Sequence, residues 1–540
     1  MTTGRGTSKN DRDASLPQAR RLVLVAPKKR HGLGGKVIGV ANAGRRVRVG
    51  ISLADCRHHI HVLGPTGTGK TSLLLRMILD DVQAGRGVAA FDPAKGDLIR
   101  DLLDRLPAEC ADRLVIVDPD ETVAPPAINL LDPHVYGGTP HDVAAHITSV
   151  MAKVWSRWWG DRMTEIAYHG LLTLAYLHGS TLAQLPRLLS DARWRAGRVA
   201  AVTRRLGPWE ANTLAEFWEG FDALPAGARA GLVAPLLSRL RLVLAHPLAM
   251  GLFGVATTTF RFADILNGGI LLVRLPKGVI GEDGTRLIGS LLLAGLWQAT
   301  AARARTPEHQ RLDAMVVLDE CHNFLHLPIG IDDALAEARG LRTCFVLAHQ
   351  YLGQLTTAMR EAIDANARNK VYFALAPKDA HDQAHHVRPY LDDGDLMRLA
   401  GFEVALRPVA AGQAVPPVTA DTLPPPEPEP RRAQLLRAAA RERTGLDKQA
   451  RTALRGEAAT AAPSEPTEQA DSSDSDRMAL VGRNTFTPVV NARGASSNEG
   501  SNESSNEISN GDEHAGQHTP LNTPYPLAEG MEEDWWTGTD

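Results

Sequence analysis

The chain is ordered as short apolar runs separated by segments of helical period. Lys36-Val37-Ile38-Gly39-Val40 opens the series, and Arg46-Val47-Arg48-Val49 follows with charged and apolar residues alternating. Alternation at period two predicts a strand with one solvated face. The next runs are different in kind. His59-Ile60-His61-Val62-Leu63, Gly87-Val88-Ala89-Ala90-Phe91-Asp92 and Leu114-Val115-Ile116-Val117-Asp118 are nearly continuous in apolar residues. Between the first two, Leu73-Leu74-Leu75 and Met77-Ile78-Leu79 fall in a stretch that reads as a helix. Strands buried on both faces and alternating with helices predict an α/β fold with a mainly parallel sheet.

That pattern stops between about residues 141 and 254. Apolar residues there recur at helical spacing, with Trp155, Trp158 and Trp159 among them, which predicts an inserted all-α domain. Strand patterning returns at Gly269-Ile270-Leu271-Leu272-Val273-Arg274-Leu275, then over 314–319, 343–348 and 370–376, and the sheet is expected to close near Pro408. The resulting division is a flexible basic leader over 1–35, a first part of the α/β core over 36–140, the insertion over 141–254 and a second part of the core over 255–410. Residues 411–540 read as a Pro-rich linker and a mostly disordered acidic tail. Within that last part, Pro424 to Pro430 is a stiff extended segment, an Ala/Arg-rich stretch from Arg431 is a candidate helix, and 472–514 is too poor in apolar residues to fold. Trp535 and Trp536, after three acids, are either a peptide that docks on a partner or tryptophans without a role.

Composition narrows little. Of 540 residues, 44% are hydrophobic and 22% charged, ordinary values for a globular chain of more than one domain. A net charge of −3 does not announce a nucleic-acid partner, nor does it exclude a ring that keeps its basic residues in a central channel. Cys56, Cys110, Cys321 and Cys344 are widely spaced, which points to reduced thiols and a cytoplasmic protein. No run of about 18–20 apolar residues is present to span a bilayer, and the polar N-terminus has no signal-peptide core.

The chemistry begins at Gly64-Pro65-Thr66-Gly67-Thr68-Gly69-Lys70-Thr71, which fits the phosphate-loop pattern G-x-x-x-x-G-K-[ST]. Glycines let backbone N–H groups curve around phosphate oxygens, and the helix that follows offers its positive end to the anion. Lys70 is placed for the β- and γ-phosphates of ATP, and the Thr71 hydroxyl for Mg²⁺. Met315-Val316-Val317-Leu318 then ends in Asp319-Glu320. A parallel strand delivers such acids to the ligand crevice, so Asp319 is a candidate for Mg²⁺ and Glu320 for accepting a proton from the attacking water. Gln350, in Ala348-His349-Gln350, ends the next strand and is a candidate sensor of the γ-phosphate. Arg339 and Arg342 are candidate arginine fingers. Cys321, His322 and His326 are discounted as a metal site because the adjacent pair cannot easily share one ion with His326. His381, His385 and His386 read as an exposed helical face.

These residues together resemble the FtsK/HerA superfamily of ring motors, and within it the coupling ATPases of conjugative type IV secretion of the TraG/TraD kind. Beyond the phosphate loop, the resemblance rests on Phe91-Asp92-Pro93-Ala94-Lys95-Gly96-Asp97, Ile128-Asn129-Leu130-Leu131, Trp159-Gly160-Asp161-Arg162, Leu275-Pro276-Lys277-Gly278, Leu318-Asp319-Glu320-Cys321-His322-Asn323-Phe324 and His349-Gln350. It covers about residues 37–426. It implies a RecA-like ATPase core with an inserted all-α domain, a homohexamer with ATP and Mg²⁺ between subunits, and DNA in the pore. Its partners would be relaxosome or type IV secretion channel proteins. An arginine nineteen residues after the catalytic glutamate completes the neighbouring site in such relatives, and that position here is Arg339. Coupling proteins usually carry N-terminal membrane helices, which this sequence lacks. The expectations are therefore a DNA translocase recruited to the inner face of the cell membrane by partners, a HerA-like motor that works with a nuclease, or a recruitment platform with secondary hydrolysis.

Overall fold

In the computed structural model, residues 19–22, 35–136 and 138–460 are described. The apolar runs become strands β1 (Lys36–Ala41), β2 (Arg48–Ile51), β3 (Ile60–Leu63), β4 (Gly87–Asp92), β5 (Leu114–Val117), β6 (Ile270–Arg274), β7 (Ala314–Leu318), β8 (Thr343–His349), β9 (Asn369–Tyr372) and β10 (Glu403–Arg407). A small ribbon, β11 (Val409–Ala410) with β12 (Gln413–Ala414), precedes β13 (Val418–Thr422). Eleven strands form one sheet in the order β2-β1-β13-β10-β9-β3-β8-β7-β4-β6-β5. From β9 to β5 all neighbours are parallel; from β9 to β2 all are antiparallel.

The two halves follow from their sequences. Every residue of β3, β4, β7 and β8 is buried, as continuous apolar strands under helices on both faces must be. On one face the helix Lys70–Gln83 contributes Leu73, Met77 and Ile78 to a cluster with Leu102 and Leu106. On the other, the helix Glu282–Ala302 lies against β4 and β6, and it is buried along nearly its whole length. Gly295 lets it pack closely on the short helix Phe262–Leu266, because a Cβ there would sit 2.0 Å from the Phe262 ring.

Between β5 and β6 the described residues hold helices and no strands, including Pro140–Val154, Asp161–Ala175, Ala192–Thr203, Pro208–Ala223 and Ala226–Leu244. Thr139 and Asp142 close a reciprocal capping box at the first of these. Val143, Ile147, Leu171 and Leu240 belong to the same apolar cluster as Phe91, Val273 and Trp297, so this helical segment and the sheet share one core.

Three features depart from the sequence reading. The sheet continues past Pro408: β13 lies between β1 and β10, inside the sheet. The stretch after Arg431 forms helices as expected, Arg432–Thr444 and Lys448–Thr460, but the first of them returns to the sheet through Leu436 and Ala440. Arg437 bonds Asp118 at 2.7 Å and Arg441 bonds Glu121 at 2.7 Å, which ties this helix to the end of β5. The proline segment thus works as a strap, with the Arg105 Nε donating to the Pro426 carbonyl at 2.7 Å. Finally, part of the leader is held in place. The Leu22 N–H donates to Thr419 Oγ1 at 2.7 Å and Arg20 pairs with Asp392 at 2.6 Å. Composition shows that such segments are charged, but not which carboxylate each arginine meets. The rest of the leader and residues 461–540, with the acidic tail and Trp535-Trp536, lie outside the described residues. No single helix among the described residues is long and apolar enough to cross a membrane.

Candidate nucleotide site

The chain leaves β3 at Leu63, runs through the glycine loop and enters the helix at Lys70. Its next strand, β4, lies beyond β8 and β7. The crossover opens a crevice at the C-terminal ends of β3, β8, β7 and β4, where α/β sheets bind ligands. Its lining includes Thr66, Gly67, Gly69, Lys70, Thr71, Asp92, Asp319, Glu320 and Gln350. The loop, both acids and the glutamine, scattered over nearly 290 positions, meet in one cleft. Gly67 (φ 86°) and Gly69 (φ 114°) take left-handed backbone that other residues resist.

Lys70 is buried, and its ammonium donates to the carbonyls of Gly64 at 2.5 Å and Pro65 at 3.1 Å. Burial lowers its pKa, and Glu320 and Asp319 oppose that shift. Asp319 is pushed up to about 7, chiefly by burial and then by Asp92 and Glu320. Asp92, at the end of β4, is also raised by burial, although it accepts the amides of Ala94 and Leu98 at 3.1 Å each. Three carboxylates thus share a buried site with one lysine. Hard oxygen donors that are short of positive charge suit Mg²⁺ bound with a nucleotide, and the Thr71 hydroxyl lines the same wall.

Glu320 has left-handed backbone (φ 49°) and lines the cleft. Gln350 Nε2 donates to Glu320 Oε1 at 2.8 Å, and Gln354 Nε2 donates to Oε2 at 3.1 Å. Asn323 Nδ2 holds the Glu320 carbonyl at 2.7 Å. The carboxylate is therefore oriented by two neutral amides. Gln354 was not evident in the sequence, and neither was Phe402, which lines the cleft from the loop before β10.

Of the two arginines, Arg342 is engaged: its guanidinium donates to the Arg311 carbonyl at 3.1 Å and lies 3.7 Å from Glu308. Arg339 is exposed at the end of the helix Ile331–Gly340, near His58, by the N-terminal ends of β3 and β8 and away from the cleft. No hydrogen bond or ion pair to its side chain is found among the described residues. The discounted histidines divide. His326 bonds Ser290 at 3.1 Å, and His322 stands 3.8 Å from Glu320. His385 and His386 are more than an exposed face, since both meet Asp364, at 3.7 and 2.5 Å, where Lys370 also pairs at 3.1 Å. All four cysteines are free and buried.

No protein-family model and no curated protein matches the sequence. Solved structures do match in fold. The plasmid coupling protein TrwB in complex with ADP and Mg²⁺ aligns with a TM-score of 0.51 and 16% identity, over 78% of this chain and 98% of that one. TrwB with a non-hydrolysable ATP analogue aligns at 0.50 and 16%, over 77% and 98%. The unbound bacterial conjugative coupling protein TrwBdeltaN70 aligns at 0.50 and 16%, over 77% and 97%. The fold implied by the resemblance to ring motors is the fold observed.

Proposed function

We propose that this chain is an ATP-hydrolysing DNA translocase that works as a homohexamer and couples DNA to a conjugative type IV secretion apparatus. The observation that carries the hydrolytic part is the meeting of Lys70, Asp319, Glu320 and Gln350 in one cleft behind the glycine loop. The likeness in fold to conjugative coupling proteins supports the conjugative setting, and DNA as the track is what the resemblance to ring motors implies.

In this reading the amides of residues 64–71 cradle the phosphates, and Lys70 exchanges its two carbonyl partners for β- and γ-phosphate oxygens. Thr71 and Asp319 would hold Mg²⁺, which supplies charge neutralisation on the phosphates when bound. Glu320 takes a proton from the attacking water at one carboxylate oxygen, while Gln350 and Gln354 hold its plane. Gln350 reaches both Glu320 and the γ-phosphate end, so nucleotide state can be passed to β8. Arg339 lies too far from its own cleft to act there. Exposed at the opposite ends of the strands, it serves the cleft of a neighbouring copy in a ring, as an arginine finger.

The test is hydrolysis of ATP by the unaltered chain and by Lys70→Ala, each without DNA, with single strands and with duplex. DNA should stimulate the unaltered chain, and Lys70→Ala should be inactive throughout. Equal rates under all three conditions would remove the DNA motor, and full activity in Lys70→Ala would remove the site itself.

A further inference from the structure

The loop packs against two phenylalanines in unlike settings. Phe373 is fully buried under it, and a Cβ on Gly64 would lie 2.6 Å from the Phe373 Cβ. Phe402 lies over Gly69, its Cδ1 2.8 Å from where a Cβ would stand, yet it is 54% exposed. It also holds left-handed backbone (φ 64°), which costs free energy in a bulky residue. Three hydrogen bonds keep it there. Its N–H donates to the Thr68 carbonyl at 2.9 Å, and its carbonyl accepts the Thr422 N–H at 2.8 Å and hydroxyl at 2.9 Å. The backbone of Phe402 is thus fixed to the phosphate loop itself and to the end of β13, and its half-exposed side chain lines the cleft.

We infer that Phe402 is the platform on which the purine of the bound nucleotide stacks, an inference that rests on the cleft being a nucleotide site. Lys70, Glu320 and Gln350 mark the γ-phosphate end of the cleft, and the loop amides hold the α- and β-phosphates. Ribose and base must then leave at the other end, past the start of the helix at Gly69, Thr71 and Ser72. Phe402 lines the cleft beside those residues. A π-face binds any base, and a purine best because it has the larger ring system.

The experiment is calorimetric titration of the full chain with Mg·ADP and with Mg·tripolyphosphate, which has no base. Phe402→Ala should weaken ADP roughly tenfold and leave tripolyphosphate within about twofold. Phe402→Leu keeps the contact with Gly69 without a π-face and should lose ADP similarly, which guards against misfolding of the alanine variant. Phe402→Trp should restore ADP binding. Undiminished ADP affinity in both Phe402→Ala and Phe402→Leu would overturn the inference, as would an equal loss of tripolyphosphate, which would mean that the ring only props the loop. If the unaltered chain bound neither ligand, the nucleotide reading would fail and carry this inference with it.

Discussion

Glu320 and His59 are both non-glycine residues in left-handed backbone, at opposite ends of two parallel strands, β7 and β3, that flank β8. His59 (φ 55°) precedes β3 at the N-terminal end of the strands, far from the cleft, and Glu320 (φ 49°) follows β7 within it. At His59 the strain is offset. Its Nε2–H donates to the Leu335 carbonyl at 2.6 Å, its Nδ1 accepts the Phe345 N–H at 3.1 Å, and the ring is buried in its neutral form. At Glu320 two amides orient the carboxylate, while Asp319 and Asp92 beside it lack enough positive charge. The His59 ring has both partners within the chain, whereas on the proposed reading the acids around Glu320 are completed by a ligand. On that reading, strain is offset by structure at the first and serves catalysis at the second.

The sharpest way to break this contrast is Glu320→Gln. The substitution keeps the size of the side chain and removes its capacity to accept a proton. Turnover should fall by about 10²–10⁴, with Mg·ATP still bound and the thermal midpoint not lowered. A turnover within threefold of the unaltered chain would show that Glu320 is not the base. His59→Asn is the reciprocal change. Asparagine tolerates left-handed backbone but is too short to reach both Leu335 and Phe345. Each buried group left unpaired costs about 1–3 kcal/mol, so a loss of roughly 2 kcal/mol or more in urea unfolding is expected, with ADP affinity unchanged. A weakened ADP affinity at constant stability would invert the assignment of the two ends.

The same contrast governs what could be read from the sequence. The glycine loop is eight consecutive residues and Asp319-Glu320 closes an apolar run, so both were legible without a structure. The parallel half of the sheet was legible for the same reason, because burial on both faces leaves unbroken apolar stretches. β13 was not, since Val418-Thr419-Ala420-Asp421-Thr422 is half polar and lies between prolines. Its place in the sheet comes from partners nearly 380 residues away in β1. Gln354 and Phe402 were missed because their significance is spatial: one reaches Glu320 from the turn after the next strand, and the other meets Gly69 from more than 300 positions further along the chain. His59 shows nothing in sequence beyond a polar residue before a strand.

The smallest expected effect is on pH dependence, and it follows from the same histidine. Burial lowers the His59 pKa to about 4, against an ordinary value of 6.5. Between those values the unfolded chain takes up a proton that the folded chain refuses, because protonating Nδ1 would cost the Phe345 bond and bury a charge. Stability from this group is therefore complete above about pH 6.5 and lost as the pH falls towards 4, at up to about 1.4 kcal/mol per pH unit. Other buried histidines, His349 among them, share this direction, so acid sensitivity alone is not diagnostic. The difference between chains is. Urea midpoints measured from pH 7.5 to 5 should fall more steeply for the unaltered chain than for His59→Asn, with the two curves converging on the acid side. Parallel curves would mean that His59 takes up its proton without cost, and the N-terminal end of the strands would then be no more complete than the cleft.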